Sequence, residues 1–325
     1  MKVTNYILFA AAAIALAACS NDGLPGDDPN APVEIRLTGG LEVQTRTSHN
    51  LDMMLKPGEQ VHVWVDDAGN VADKELYKDR ELTAGDDGAL TGETMYFPQT
   101  GNAVDIYAIH GNFGEDTDWT ESGFWATEIT HTVAQNQKSE EDGYAKSDLV
   151  YAKVNNVART KEAINLQFSH LLSKIEVVLV KGDGSPQISK MEILNTRLEA
   201  VFTPDKAKEF KVTENGPQGG NPIEIDTNLT GADIAANTGS DDGKVLNEAI
   251  IVPQLLTKDT PFIRITTTAG GELIYRLPED KTFEPAKKYR FIVTANLTEQ
   301  KVVSAKITDW TKETGDDNGT AEMEE

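Results

Sequence analysis

The chain has 325 residues, enough for two domains of ordinary size, and its 39% of hydrophobic residues is sufficient to build their cores. Its formal net charge is −23 at pH 7, from 53 acidic and 30 basic residues. Nucleic acids and anionic lipid headgroups are bound by clustered Lys and Arg, so this balance argues against both as partners. We interpret the excess of acid as a means of keeping an exposed protein soluble, in preference to a cation-binding role.

The first residues have the pattern of a bacterial export signal. Lys2 is followed by an apolar run, residues 7–18, which is too short to span a bilayer as a helix. The run leads into Leu-Ala-Ala-Cys at residues 16–19, the lipobox pattern of bacterial lipoproteins. Small residues there precede the cut, and the thiol accepts a diacylglycerol. We therefore predict a signal peptide over residues 1–18 and lipidation of Cys19.

Cys19 is the only cysteine, so no disulfide can form within the chain. The alternative interpretation is an ordinary secretory signal that happens to contain a cysteine. Residues 19–32 are polar and rich in Gly, Pro and Asp, so they are predicted to form a flexible, lipidated tether. The acidity of this tether resembles the signal that sends some Bacteroidetes lipoproteins to the cell surface.

Most of the remaining chain has the two-residue periodicity of β-strands. Alternating hydrophobic and polar residues predict strands at residues 33–37, 41–45, 61–65, 104–110, 149–154, 164–180, 188–194, 248–252, 262–268, 273–277 and 289–295. Clusters of Gly, Asp and Asn at 66–70, 85–88 and 269–271 are typical of turns, and the last predicts a hairpin. No long stretch after the leader has helical periodicity, although a short helical turn is predicted near residues 232–236.

The longest predicted strand changes its facing part-way along. Hydrophobic residues occupy even positions from Ile164 to Phe168 and odd positions from Ile175 to Leu179. The change falls at residues 170–172, where the chain must bend or turn over. A segment that closes one core and opens the next has this pattern, so we place a domain boundary near residue 170.

The predicted organisation is therefore all-β, because many short strands separated by turns are typical of packed sheets. We expect one β-sandwich domain over residues 33–170 and a second over residues 171–312. The acidic end, residues 313–325, is nearly free of large apolar groups and is expected to be disordered. Loops are predicted at residues 135–143, 213–221 and 238–243.

No catalytic or metal-binding motif stands out, and we predict no enzymatic activity and no cofactor or metal. The five histidines, none of which pairs with another at metal-ligand spacing, are His49, His62, His110, His131 and His170. One alternative is a hydrolase whose paired carboxylates meet only in space. Another is a surface module that binds glycans through aromatic residues such as Trp119 and Trp125, which lie near Phe124. We favour aromatic side chains that fold back onto the sheets.

Arg46 is a candidate site of proteolytic processing. It ends the strand pattern of residues 41–45, and the polar residues 47–50 that follow predict an accessible loop, where proteases cut.

Blocks of sequence spread over nearly the whole chain resemble the fimbrillin family, the Mfa-like and type V pilin-like lipoproteins of Bacteroidetes. These blocks are the lipobox with its tether and residues 33–46, 146–152, 166–175, 251–254, 289–293 and 307–310. The most specific is Phe-Ser-His-Leu-Leu-Ser-Lys-Ile at residues 168–175.

The resemblance implies two transthyretin-like β-sandwich domains. It further implies a precursor anchored to the outer membrane by lipid, including palmitate, on Cys19, which becomes a subunit of a cell-surface pilus that adheres to host or bacterial targets. A trypsin-like protease would cut between Arg46 and Thr47, strands within residues 33–46 would be lost, and a strand from another subunit would fill the groove by donor-strand exchange.

The chain departs from this family pattern near its C terminus. Its only apolar stretch there is residues 302–310, and the acidic tail beyond is not expected to pair. Stalk, tip and anchor roles therefore all stay open at this stage, and an anchor would keep its lipid and remain uncut.

Overall fold

The structure is a computed structural model that describes residues 31–41, 55, 57–70, 75–114, 117, 119, 129–138, 143–181, 188–204, 210–215, 219, 222–225, 247–268, 271–295, 301–309, 316–317 and 321–322. The regular secondary structure of these residues is almost entirely β-strand, which confirms the all-β prediction. The helix among them is α1 (Gly143–Ser147). No helix in the described part of the chain is long and apolar enough to cross a bilayer.

Seven described strands close into a barrel. In spatial order they are β1 (Glu34–Leu41), β4 (Ala89–Tyr96), β3 (Glu75–Ala84), β2 (Gln60–Asp67), β5 (Val104–His110), β7 (Val150–Val157) and β8 (Ile164–His170). Neighbours are antiparallel except β1 and β8, which run parallel and complete the ring. The sandwich expected for residues 33–170 thus takes the form of a closed sheet, because β1 pairs with strands on both of its sides.

The second half of the chain contributes two five-stranded sheets. The first has the order β13 (Ile223–Ile225), β10 (Ile188–Ile193), β16 (Pro261–Thr267), β17 (Glu272–Arg276) and β22 (Ala321–Glu322). The second has the order β14 (Asn247–Ile251), β9 (Ser173–Lys181), β19 (Lys287–Ala295), β20 (Lys301–Asp309) and β21 (Asp316–Asp317).

Two smaller sheets complete the described strands. One has the order β12 (Phe210–Asn215), β11 (Glu199–Pro204) and β6 (Ile129–Thr132), and the other pairs β15 (Gln254–Leu256) with β18 (Lys281–Phe283). Because β6 comes from the first half of the sequence and β11 from the second, this pairing joins the two halves through backbone hydrogen bonds.

Two hydrophobic cores lie within the compact unit that the chain forms from Val33 onward. The first fills the barrel with buried residues between Ile35 and Phe168. The second combines side chains from both five-stranded sheets, among them Ile175 and Ile263. Strands β2 and β5 serve both cores, because Trp64, Tyr107 and Ile109 on their outer faces belong to the second one.

The change of facing predicted at residues 170–172 is confirmed. Strand β8 buries alternate residues in the barrel, whereas β9 belongs to another sheet and buries Ile175, Val177 and Leu179 in the second core. The hairpin predicted around residues 269–271 is also confirmed, since β16 and β17 pair as antiparallel neighbours. The domain division at residue 170 itself stays a prediction.

Some strands escaped the sequence-based prediction. The pattern does not predict β3 or β4, because exposed and half-exposed side chains occupy both faces and leave little alternation. The loop predicted at 213–221 is wrong for residues 213–215, which belong to β12 and pair with β11. Leu41 ends β1, and the rest of the strand predicted at 41–45 lies outside the described residues.

The acidic tail pairs at two described points, contrary to the predicted disorder. Asp316–Asp317 pairs with β20, and Ala321–Glu322 pairs with β17. Pairing is possible there because backbone N–H and C=O groups bond irrespective of side-chain charge. The helical turn predicted near 232–236 and the loop at 238–243 lie outside the described residues.

A short segment, residues 135–138, covers the edges of both large sheets. The Gln137 N–H donates to Glu224 O at 2.9 Å, and the Glu224 N–H donates to Gln135 O at 2.7 Å, along the edge of β13. The Gln137 side chain turns to β14, where Nε2 donates to Ile250 O and Oε1 accepts from Ile250 N, each at 2.7 Å. The exposed loop predicted at 135–143 is therefore wrong at Gln137, which is only 2% exposed.

We expect the substitution Gln137→Ala to lower the free energy of unfolding by roughly 2–4 kcal/mol, because it leaves the buried N–H and C=O of Ile250 without partners. Urea denaturation of the purified, uncut chain without residues 1–18 measures this quantity. Gln135→Ala, which removes an exposed side chain from the same segment, serves as the matched control and should cost less than about 0.5 kcal/mol. Equal effects of the two substitutions would contradict the assigned role of Gln137.

Candidate functional site

The residues predicted for lipidation and cleavage bracket β1. Cys19, Arg46 and Thr47 lie outside the described residues, but β1 lies between Cys19 and Arg46 in the sequence and is described over its whole length. The candidate site is therefore the position of β1 between β4 and β8, here named the β1 slot.

The inner face of β1 follows directly from its two-residue periodicity. Ile35, Leu37 and Gly39 are buried in the barrel core, whereas Glu34 and Arg36 are exposed. Burial of a side chain such as Ile or Leu contributes about 1.5–3 kcal/mol relative to exposure. The strand therefore supplies part of the barrel core as well as part of its wall.

The backbone pairing of β1 is divided between its two neighbours. Glu34 and Ile35 are in register with β4 alone, Gly39 to Leu41 with β8 alone, and Leu37 and Thr38 with both. The β4 ladder is interrupted after Ile35, where exposed residues 91–94 of β4 have no partner on β1. Without β1, backbone groups on β4 and β8 would lose their partners, and each strand would become a sheet edge.

The tightest contact of the slot is at Gly39. A Cβ atom placed on Gly39 would lie 3.2 Å from Phe168 Cε2, 3.4 Å from Leu90 Cδ2 and 3.5 Å from Leu55 Cδ1. All three neighbours are buried, so they have little room to move aside. The barrel wall therefore accommodates glycine at this position because a longer side chain would meet Phe168.

Trp119, one of the aromatic residues considered for glycan binding, packs on the protein. Its ring stacks on His62 with the ring centroids 3.5 Å apart and 5° between the planes. His62 Nδ1 in turn lies 2.7 Å from Asp79 Oδ1. The Phe113 ring meets Trp119 edge to face, with centroids 5.1 Å apart. One face of the Trp119 ring is thus covered by His62. The other two aromatic residues considered for glycan binding, Phe124 and Trp125, lie outside the described residues.

Three histidines converge where the barrel meets the second core. His110 and His170 are both in register with Val150, on the strands to either side of it. The His170 Nδ1 atom lies 2.9 Å from Asp148 Oδ2. His131 Nε2 donates to Ser147 O at 2.9 Å.

The sequence does not predict this cluster, because its members are far apart in the chain and only the fold brings them together. In the described part of the chain, no group of His, Cys, Asp and Glu side chains has the arrangement of a metal site. The cluster forms a polar layer between two apolar cores.

Comparison with known families gives one match that covers most of the chain. The family model described as fimbrillin-like matches residues 45–310. The chain belongs to this fimbrillin-like family. It is a family of structural fimbrial and adhesion proteins. Comparison with curated protein sequences gives no match.

Solved structures with this fold include proposed cell adhesion proteins from two Bacteroides species. The protein from Bacteroides uniformis has 19% identity and a TM-score of 0.58, and the match covers 86% of this chain and 99% of the other. The protein from Bacteroides ovatus has 14% identity and a TM-score of 0.57, covering 88% and 97% of the two chains. At these identities the similarity establishes the fold alone.

The polar layer of this fimbrillin-like chain holds His131 in its neutral form. Burial lowers the pKa of His131 from 6.5 to about 4, although the bond to Ser147 O and the nearby Asp148 oppose the shift and His110 adds to it. The Asn112 N–H donates to His131 Nδ1 at 3.0 Å, so a proton at Nδ1 would break that bond. Burial raises the pKa of Asp148, but the charge and hydrogen bond of His170 outweigh it, and the net shift is downward.

We expect the fold to lose stability as the pH falls from about 6.5 to about 4. Over that interval the unfolded chain binds a proton at His131 and the folded chain does not, so acid favours unfolding. The loss attributable to His131 is about 3 kcal/mol, from 1.36 kcal/mol per pKa unit.

Urea denaturation at several pH values between 4 and 7 measures the loss. His131→Gln can still donate to Ser147 O and accept from the Asn112 N–H but does not titrate, so this variant should show a flatter dependence than the unaltered chain. Identical pH profiles for the two proteins would contradict the assignment.

Proposed function

We propose that this fimbrillin-like protein is a structural, non-enzymatic subunit of a surface fimbrium that mediates cell adhesion. It reaches the outer membrane as a precursor with lipid on Cys19, and it matures by cleavage between Arg46 and Thr47 with loss of β1. A strand from another fimbrial subunit then occupies the β1 slot. The observation that carries this proposal is that one strand, placed before Arg46 in the sequence, closes the barrel.

The chemistry of the slot supports assembly by strand exchange. Loss of β1 would uncover apolar side chains that it now covers, including Phe168, Leu90 and Leu55. It would also leave backbone donors and acceptors of β4 and β8 without partners. An added strand restores both kinds of interaction at once, so its ladder of hydrogen bonds and its buried side chains form a durable joint.

The position of β1 within its sheet supports the same proposal. In the ring of strands, β2 and β5 lie across the barrel from β1, and they carry Trp64, Tyr107 and Ile109 into the second core. Exchange at β1 would therefore leave those contacts in place. The subunit could open one side of its barrel while its other side stays packed.

We expect Cys19→Ala to abolish lipid attachment, because the thiol is the acceptor of the diacylglycerol. Incorporation of labelled palmitate and flotation of the protein with membranes measure the effect in the bacterial host. Ser20→Ala, at the adjacent position, should keep both signals. Label that persists in Cys19→Ala would show that the lipid is elsewhere.

An arginine-specific protease should convert the purified chain into a product that begins at Thr47. Arg46→Ala should prevent that cut, as measured by intact mass and N-terminal sequencing. Arg36→Ala is the matched control and should be cut like the unaltered chain, because Arg36 lies inside the paired strand β1. If the unaltered chain stays whole, maturation at Arg46 is wrong and the role of an uncut, lipid-bearing anchor is favoured.

A further inference from the structure

We infer that the β1 slot accepts a strand with the pattern apolar–x–apolar–x–glycine, and that this pattern excludes the C-terminal strand of the chain itself as the donor. A C-terminal strand that joins at this slot then belongs to a subunit whose sequence differs from that of this chain. This inference rests on the proposed function. It adds the pattern of side chains that the partner strand must have.

The pattern follows from the three inward positions of β1. At the positions of Ile35 and Leu37 the slot buries large apolar side chains in the barrel core. At the position of Gly39 the space is smaller, because a Cβ there would lie 3.2 Å from Phe168 Cε2, closer than an ordinary contact, while Leu90 and Leu55 are already at van der Waals distance. The order is fixed by direction, since a strand in this slot runs parallel to β8 and antiparallel to β4.

The crowding at Gly39 makes that position the selective one. An alanine Cβ would already be in tight contact with Phe168, at 3.2 Å, and a branched side chain extends further in the same direction. Phe168 is fully buried among core residues and cannot yield without disturbing them. The position next to it is permissive, because a Cβ on Gly40 would be 3.5 Å from Asn165 Oδ1, an ordinary contact.

The C-terminal strand β20, with the sequence Lys-Val-Val-Ser-Ala-Lys-Ile-Thr-Asp, does not match the slot in any register. If Ala305 takes the Gly39 position, Lys301 takes the buried Ile35 position. If Ser304 takes it, Gln300 is buried instead. If Val303 and Ala305 fill the first two positions, Ile307 meets Phe168.

Running β20 through the slot in the opposite direction does not help. With Ala305 at the Gly39 position, Asp309 would then occupy the Ile35 position, and with Ser304 there, Lys306 would occupy the Leu37 position. Each arrangement buries a charged side chain in an apolar core, which is strongly unfavourable without a partner.

A second copy of β1 does match the slot. After cleavage, however, that strand is no longer attached to its own subunit and cannot link two subunits. A C-terminal strand that joins at this slot must therefore come from a chain with a different sequence.

Peptide exchange on the cut protein tests this inference. A recognition sequence for a site-specific protease is inserted directly after Arg46 in the chain that begins at residue 19, so that β1 can be separated from the barrel without relying on the natural cut. The cut protein is incubated in urea below its unfolding midpoint with fluorescent peptides. Polarisation gives the affinity of each peptide, and mass spectrometry detects the released β1.

Four peptides define the selectivity. They are residues 33–41, the same segment with Gly39→Val, the same segment with Gly40→Val, and residues 301–309. The first and third should displace β1 with similar affinity. The Gly39→Val peptide should bind roughly 10- to 100-fold more weakly, as overpacking of a core predicts. The peptide of residues 301–309 should not displace β1.

The outcomes separate the inference from the function on which it rests. If residues 301–309 or the Gly39→Val peptide displace β1 as well as residues 33–41 do, the selectivity is overturned while strand exchange stands. If none of the peptides displaces β1, exchange at this slot is wrong, and the inference is overturned with it. As an independent check in the uncut chain, Gly39→Val should lower the Tm more than Gly40→Val does, and equal changes would also overturn the selectivity.

Discussion

A closed sheet has no edges, and in this protein closure depends on β1. Every other neighbouring pair in the barrel is antiparallel, whereas β1 meets β8 in parallel, so the strand bridges two neighbours that it contacts in different ways. Edge strands expose unpaired backbone groups and invite pairing with other chains. The presence or absence of this one strand therefore decides whether the barrel is closed or has two edge strands that can pair with another chain.

The location of β1 limits what its loss would change. The opposite wall of the barrel, formed by β2 and β5, is buried on both faces and carries the contact with the second core. The buried polar layer around Asp148 adds specific bonds: the Asn112 N–H, just after β5, donates to His131 of β6, His131 donates to Ser147 O, and His170 of β8 bonds Asp148. A subunit built in this way can exchange a strand on one side while packing and hydrogen bonds on the other side preserve its shape.

Local periodicity predicts those parts of the fold in which one face is buried and the other is not. The alternation in β8 and its reversal in β9 are clear in the sequence, because each strand faces a single core. Strand β4 has a run of exposed residues and no comparable signal. The amide of Gln137 and the three histidines around Asp148 could not be predicted either, since their partners are distant in sequence and polar residues carry no periodic pattern. The steric role of Gly39 likewise depends on Phe168, which the chain brings near only when the barrel closes.

The net charge of the chain, like the selectivity of the slot, disfavours the association of two copies of this protein. Two copies of a chain with a net charge of −23 repel one another at long range, although salt at physiological strength screens this repulsion beyond about 8 Å. A joint between such copies must then arise from short-range backbone pairing and apolar contact, and the inner face of the slot is suited to both. Those short-range terms are also the ones that β20 cannot satisfy, since it would bury Lys301, Gln300 or Asp309. The mismatch of β20 with the slot is therefore what disfavours a second copy as the donor, and charge repulsion adds to it only where salt does not screen it.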